Sequence, residues 1–253
     1  MISLKDLHVT YNLGTNLEKK VLRGLSMDIT EGEFVTVIGG NGAGKSTLLG
    51  SLTGDVKVTK GRIMFDGEDV TNFSPTKRSP LIARVFQDPL KGTCGALTVE
   101  ENLALALKRG ETRSLSKAIT NDIRDLMRHQ LSRLHLGVEA RLRDPIGSLS
   151  GGQRQAISLI MAVLSPSKIL LLDEHTAALD PRTAAFIIEL TKEIVGDKKL
   201  TTLMVTHSMS QALDVGTRTI MLAEGKKVFD VTGKDREKLT PHDLLNEFEK
   251  RAM

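Results

Sequence analysis

Tryptophan is absent from this 253-residue chain, tyrosine occurs once, as Tyr11, and aromatic residues amount to 3% of the total. Proteins that bind single-stranded nucleic acid stack bases on aromatic platforms, and one Tyr with scattered Phe does not supply them. Cysteine also occurs once, at Cys94, so there is no disulfide framework and no cysteine-rich zinc site. A lone thiol fits a reducing compartment. Charge of one sign is scarce too. Thirty-five Lys and Arg stand against 31 Asp and Glu, a net of +4, which is no nucleic-acid footprint. No apolar run approaches the roughly 20 residues that span a bilayer. The longest, residues 159–164, stops at Ser165 and Pro166. The N-terminal residues show no basic segment followed by an apolar one, so they do not read as a secretory signal. The expected location is the cytoplasm, free or held to the inner face of a membrane by another subunit.

What is present begins with four short apolar segments, at residues 34–38, 82–86, 168–172 and 201–206. They lack strict alternation, as buried parallel strands do. Each ends on glycine or a polar residue: Gly39, Gln87, Asp173 and His207. Ligands of open α/β sheets bind beyond the carboxyl ends of the strands, so these four ends suggest one shared site. Residues 1–35 and 57–70 alternate more and contain turn signals at Glu31, Gly32 and at Asp66, Gly67, predicting an antiparallel flank. Residues 98–143 read as helical, with a continuous pattern at 119–136. A further helix is expected after Ser150, and an amphipathic one at 243–251.

Gly39, Gly40, Asn41, Gly42, Ala43, Gly44, Lys45, Ser46 and Thr47 match GxxxxGK[ST] between a predicted strand and a helix at 45–52. Backbone N–H groups of such a loop, with the helix start, form a nest for phosphate. Lys45 can reach β- and γ-oxygens and the Ser46 hydroxyl can ligate Mg2+. A second feature is the apolar run 169–172 closed by Asp173 and Glu174. It places one carboxylate to hold Mg2+ and a second to accept a proton from an attacking water. Taken alone, a strand-end acid is ordinary; beside the loop at 39–47 it points to nucleotide hydrolysis. A third is Leu149, Ser150, Gly151, Gly152 and Gln153, a capped helix start that offers a second anion site.

These motifs, in this order over nearly the whole chain, resemble the ATP-binding-cassette (ABC) ATPases. The loop at 39–47 is similar to the Walker A motif, residues 149–153 to the family signature and residues 169–174 to Walker B. The resemblance implies a P-loop NTPase (RecA-like) α/β core with an antiparallel β flank and an inserted helical subdomain. One ABC domain would span 1–253, with residues 1–88 and 154–253 in the core lobe and 89–153 helical. It implies ATP and Mg2+ as cofactors. Glu174, His207, Gln87 and Lys45 would be catalytic. Tyr11, the loop residues 39 and 41–47, Ser150, Gly151, Gly152, Gln153 and Asp180 would bind nucleotide, with Tyr11 stacking on adenine. Ser46, Gln87 and Asp173 would hold the metal. His175 stands where many relatives have Pro and is expected to have no catalytic role.

The resemblance further implies a head-to-tail homodimer with two ATP sites, separate transmembrane permease subunits and an extracytoplasmic solute-binding protein. The run at 173–181 resembles importer ATPases, some assigned to amino acids, which favours uptake of an amino acid or similar small organic solute. An alternative is a cassette that drives a membrane partner without import, of the cell-division or lipoprotein-release type. Chromosome-type members carry long coiled coils between the equivalents of Gln87 and Ser150. Only 62 residues separate them here.

Overall fold

The computed structural model describes residues 1–112 and 117–252, the side chains at 251 and 252 excepted. In chain order the elements are β1 (Ile2–Tyr11), β2 (Lys19–Ile29), β3 (Phe34–Gly39), α1 (Lys45–Thr53), β4 (Lys60–Phe65), β5 (Glu68–Asp69) and α2 (Pro75–Arg78). Next come β6 (Ile82–Val85), α3 (Pro89–Gly92), α4 (Val99–Leu107), α5 (Asn121–Ser132), α6 (Gly151–Leu164), β7 (Ile169–Asp173) and α7 (Pro181–Lys198). The chain closes with β8 (Thr202–Val205), α8 (Met209–Val215), β9 (Arg218–Ala223), β10 (Lys226–Thr232), α9 (Gly233–Glu237) and α10 (Pro241–Ala252). Two compact units form, residues 1–78 with 199–253 and residues 79–198.

In the first unit β3 is buried along its whole length, as its uninterrupted apolar pattern predicts. It pairs in parallel with β8 on one side and β9 on the other, and β10 returns antiparallel to β9. The alternating segments form the antiparallel flank, with β1 between β2 and β4 and β5 against β4. Leu4, Leu7 and Val9 of β1 point inward and are essentially inaccessible to solvent.

The second unit holds the parallel pair β6 and β7 and the helices between and after them. Residues 170–172 of β7 and residues 156, 157 and 159 of α6 are buried. The expected helical stretch 98–143 is broken. Thr98 caps α4 through a reciprocal box with Glu101, and Thr120 caps α5. The expected 119–136 helix shortens to Asn121–Ser132, because His135 and Gly137 take positive φ and the chain turns into a 3-10 segment, Val138–Arg141. The part of that stretch at 113–116 lies outside the described residues. Among the described residues, no helix is long and apolar enough to cross a membrane.

Candidate functional site

The first unit carries the glycine-rich loop. Because β3 and β8 are parallel and in register, with Val37 opposite Val205, the loop after Gly39 and the segment leading to His207 leave from the same end of the sheet. Thr206 N–H donates to Val37 O, and the His207 side chain is exposed. Gly44 ends the loop at φ +104° as the residue before α1. A Cβ there would also sit 2.8 Å from the Leu22 side chain, so both backbone and space require glycine. The start of α1 has no side-chain cap and no acid in its first turn. Its orphan N–H groups are therefore unclaimed by the helix's own side chains, the condition under which a helix start accepts phosphate.

Lys45 is buried, and its Nζ donates to Gly39 O at 2.7 Å and Gly40 O at 3.0 Å. The ammonium thus closes the loop on itself. Thr47 faces the Tyr11 hydroxyl at 3.4 Å, so the half-exposed Tyr11 ring is tied to the first turn of α1. Beside the loop lies a cavity of about 370 Å³, lined by residues 40–43 and 222–224 and by Phe248 of α10.

The second unit carries the carboxylates and the second helix start. β6 and β7 run in parallel with Val85 opposite Leu172, so Gln87 and the Asp173, Glu174 pair leave the same end. Asp173 Oδ2 accepts a 2.7 Å hydrogen bond from Arg84 Nη2, and both side chains are about 15% exposed. The Arg84 guanidinium also lies over the Phe86 ring, 4.5 Å from its centroid. Arg84 escaped the sequence reading. A charged residue inside an apolar strand (Ile82, Ala83, Arg84, Val85) was the available signal. Glu174 has φ +46°, a left-handed conformation that costs a non-glycine residue about 1–2 kcal/mol. Strain of this kind turns the chain sharply at the residue proposed to do the chemistry.

At the start of α6, Ser150 Oγ accepts from Gln153 N–H while Gln153 Oε1 accepts from Ser150 N–H, both at 3.2 Å. This capping box leaves the Ser150 O–H as a donor. Arg154 Nη2 holds the approach to it through Gly147 O and Leu149 O. A Cβ on Gly152 would collide with the Thr183 side chain of α7, so this glycine is required by packing. A Cβ on Gly151 would meet only the Leu179 side chain, at an ordinary contact distance of 4.0 Å. Asp180 Oδ1 accepts from Thr183 N–H at the start of α7, and the Thr183 side chain and amide hold its carboxyl below the usual range. Gln155 Nε2 donates to Phe86 O, linking α6 to the residue before Gln87.

His175 is buried and is tied to packing. Thr191 Oγ1 donates to Ile187 O, so its oxygen accepts from His175 Nε2 at 3.1 Å, placing the proton on Nε2. Burial lowers the ring's pKa to about 4, against 6.5 when unfolded. The folded state therefore refuses a proton that the unfolded state takes. The associated stability, about 3 kcal/mol, is complete above pH 6.5 and lost as pH falls through 4. We expect the melting temperature of the protein to drop across this window, and His175→Gln to flatten that part of the pH profile. Parallel profiles would show that His175 does not carry the acid sensitivity.

A family model described as "ABC transporter" matches residues 22–177. The chain is 45% identical over 249 residues to a tyrosine transport ATP-binding protein of Clostridioides difficile (strain R20291), covering 98% of this chain and 99% of that one. It is 33% identical to the thiamine import ATP-binding protein ThiQ of Escherichia coli (strain K12), over 79% of this chain and 82% of the relative. Among solved structures, it resembles a dimeric ATP-binding cassette, MJ0796, in a post-hydrolysis state bound to ADP and Pi. The TM-score is 0.79 at 29% identity, over 92% of this chain and 98% of that chain.

Proposed function

The chain belongs to the ABC transporter family as a subunit that binds and hydrolyses ATP for transport, and from that membership we propose that it drives uptake of an amino-acid-class solute. The observation that carries the ATPase reading is the loop at the end of β3, closed by the Lys45 ammonium on its own carbonyls. The full-length likeness to a tyrosine transport protein supports the solute class.

Each site residue has a role in this reading. Residues 39 and 41–47 cradle the phosphates, with Lys45 exchanging carbonyl oxygens for phosphate oxygens, and Tyr11 stacks on adenine. Glu174 accepts the proton of the attacking water, and His207 and Gln87 orient the γ-phosphate and that water. Ser150, Gly151, Gly152 and Gln153, with Asp180, contact the nucleotide held by a second copy of the chain in a head-to-tail homodimer.

Mg2+ fits the donors by type, for Ser46, Asp173 and Gln87 offer a hydroxyl, a carboxylate and an amide oxygen. Asp173 keeps Oδ1 besides the oxygen bonded to Arg84. Among the described residues, no group of three or more His, Cys, Asp or Glu forms a metal cage. This suits an ion that takes most of its ligands from phosphate and water. When bound, the ion offsets negative charge on the β- and γ-oxygens.

The subunit acts on the cytoplasmic face, through separate transmembrane permeases supplied with solute by an extracytoplasmic binding protein. Affinity purification from detergent-solubilised membranes tests this. The expected result is co-purification of a permease and a solute-binding protein, and ATPase activity of that complex stimulated by an aromatic amino acid. Recovery of a membrane partner with no solute-binding protein, and turnover indifferent to amino acids, would favour the cell-division or lipoprotein-release type instead.

A further inference from the structure

The helices nearest the phosphate-binding motifs share a device at their other ends. α1, α6 and α8 have no basic residue in the last turn, where a cation would satisfy the helix's unpaired carbonyls. Each receives a guanidinium from elsewhere in the chain instead. Arg78, almost wholly buried, donates from Nη1 to Ser51 O at 2.5 Å and Leu52 O at 2.6 Å at the end of α1. From Nη2 it donates to Thr71 O at 2.7 Å. Arg109 donates to Ala162 O and Ser165 O at the end of α6. Arg236, also buried, donates to Ala212 O and Leu213 O at the end of α8, the helix that follows His207.

None of these three arginines has a carboxylate within salt-bridge distance among the described ion pairs. Burial, the foremost influence on each, pushes the guanidinium below its usual pKa. A buried cation is costly unless hydrogen-bonded; here backbone carbonyls are the direct partners, with Asp55 and Asp69 acting on Arg78, and Asp214 and Glu237 on Arg236, at longer range. The planar fork of Arg reaches two or three carbonyls at once, which an ammonium cannot do in one geometry. α1 spans only about 13 Å at ~1.5 Å per residue. A displacement at its capped end therefore reaches Lys45, Ser46 and Thr47 with little attenuation.

We propose that Arg78 and Arg109 are positioning residues for phosphate recognition. Arg78 fixes the helix that presents Lys45 and Ser46, and Arg109 fixes the helix that presents Ser150 and Gly151. The inference rests on the nucleotide-binding reading above and assigns two cations, distant in sequence from the motifs, to the same function. It predicts a division of labour that general destabilisation does not. Arg78 governs the affinity of one subunit for nucleotide, whereas Arg109 governs ATP-induced pairing of subunits.

The test uses the full chain, with MgATP affinity measured by calorimetry at low temperature and folding checked by circular dichroism. Arg78→Met is expected to weaken MgATP binding by about tenfold while the protein stays folded, and Arg78→Lys by about threefold, as one ammonium replaces the fork. Arg109→Met should leave MgATP affinity within about twofold of the parent. In a Glu174→Gln background it should weaken ATP-dependent dimerisation by about tenfold. Folded Arg78→Met with unchanged affinity overturns the proposal. So does an Arg109→Met that loses nucleotide affinity as Arg78→Met does, since both would then report stability alone. If Arg78→Met does not fold, Arg78→Lys decides, and unchanged affinity in that variant overturns the proposal. Failure of the parent protein to bind MgATP would instead count against the nucleotide-binding reading.

Discussion

Glu174→Gln should reduce ATP turnover by two orders of magnitude or more while MgATP binding is retained. General-base catalysis is worth about 10²–10⁴-fold, and the amide cannot take the proton of the attacking water. The substitution is well suited to the position. Glu174 sits at φ +46°, and Gln carries nearly the same backbone preferences, so the left-handed strain is common to both proteins and cancels. A β-branched replacement would add a conformational penalty and confuse chemistry with folding. Phosphate release measured alongside gel filtration in ATP gives two readouts. Turnover should vanish, and the proposed dimer should persist in ATP. Phosphate release at the parent rate would remove Glu174 from the role of base.

Lys45→Met should weaken nucleotide binding by about a hundredfold or more, since hydrogen bonds from a charged donor are each worth about 1.5–3 kcal/mol. Its effect on the empty protein should be small or even stabilising. Lys45 is buried in the loop, with its ammonium donating to Gly39 O and Gly40 O. Replacing a desolvated charge by an apolar side chain of similar length removes a burial cost along with those two bonds. Loss of affinity without loss of thermal stability would show that the lysine is kept for the phosphate. A melting temperature that collapses in step with affinity would make Lys45 a structural strut of the loop. Calorimetric titration and a thermal melt on the same preparation separate the two.

The motifs legible in the sequence were those in which function writes a local string. The loop at 39–47, the strand ending in Asp173 and the capped start at Ser150 all fall where their strings place them. The strands behind them differ from expectation by a residue or so at their ends. Local strings also explain the omissions. β9 and β10 were not foreseen, though Glu224 and Gly225 form a tight turn, because the flanking residues alternate only partly. α7 was not foreseen either, although Asp180 and Pro181 make a helix-start signal. Arg78, Arg109 and Arg236 were beyond reach for a different reason. Each meets carbonyls more than twenty residues away in the chain, and no spacing rule ties an arginine to the end of a distant helix. The Arg84 contact with Asp173 crosses 89 residues and is likewise a product of strand pairing, which sequence periodicity does not specify.

The cap at Ser150 has a consequence for speed. A helix start that lacked its own cap would fray, and each encounter with an anion would then wait for the first turn to re-form. Here the turn is already closed by the reciprocal bonds of Ser150 and Gln153, and the hydroxyl proton remains available to an incoming oxygen. In the proposed role, the surface is finished before it is used. Engagement of that surface should therefore proceed at the pace of approach and alignment, with no lag for local ordering, and should show a weak dependence on temperature beyond that of diffusion.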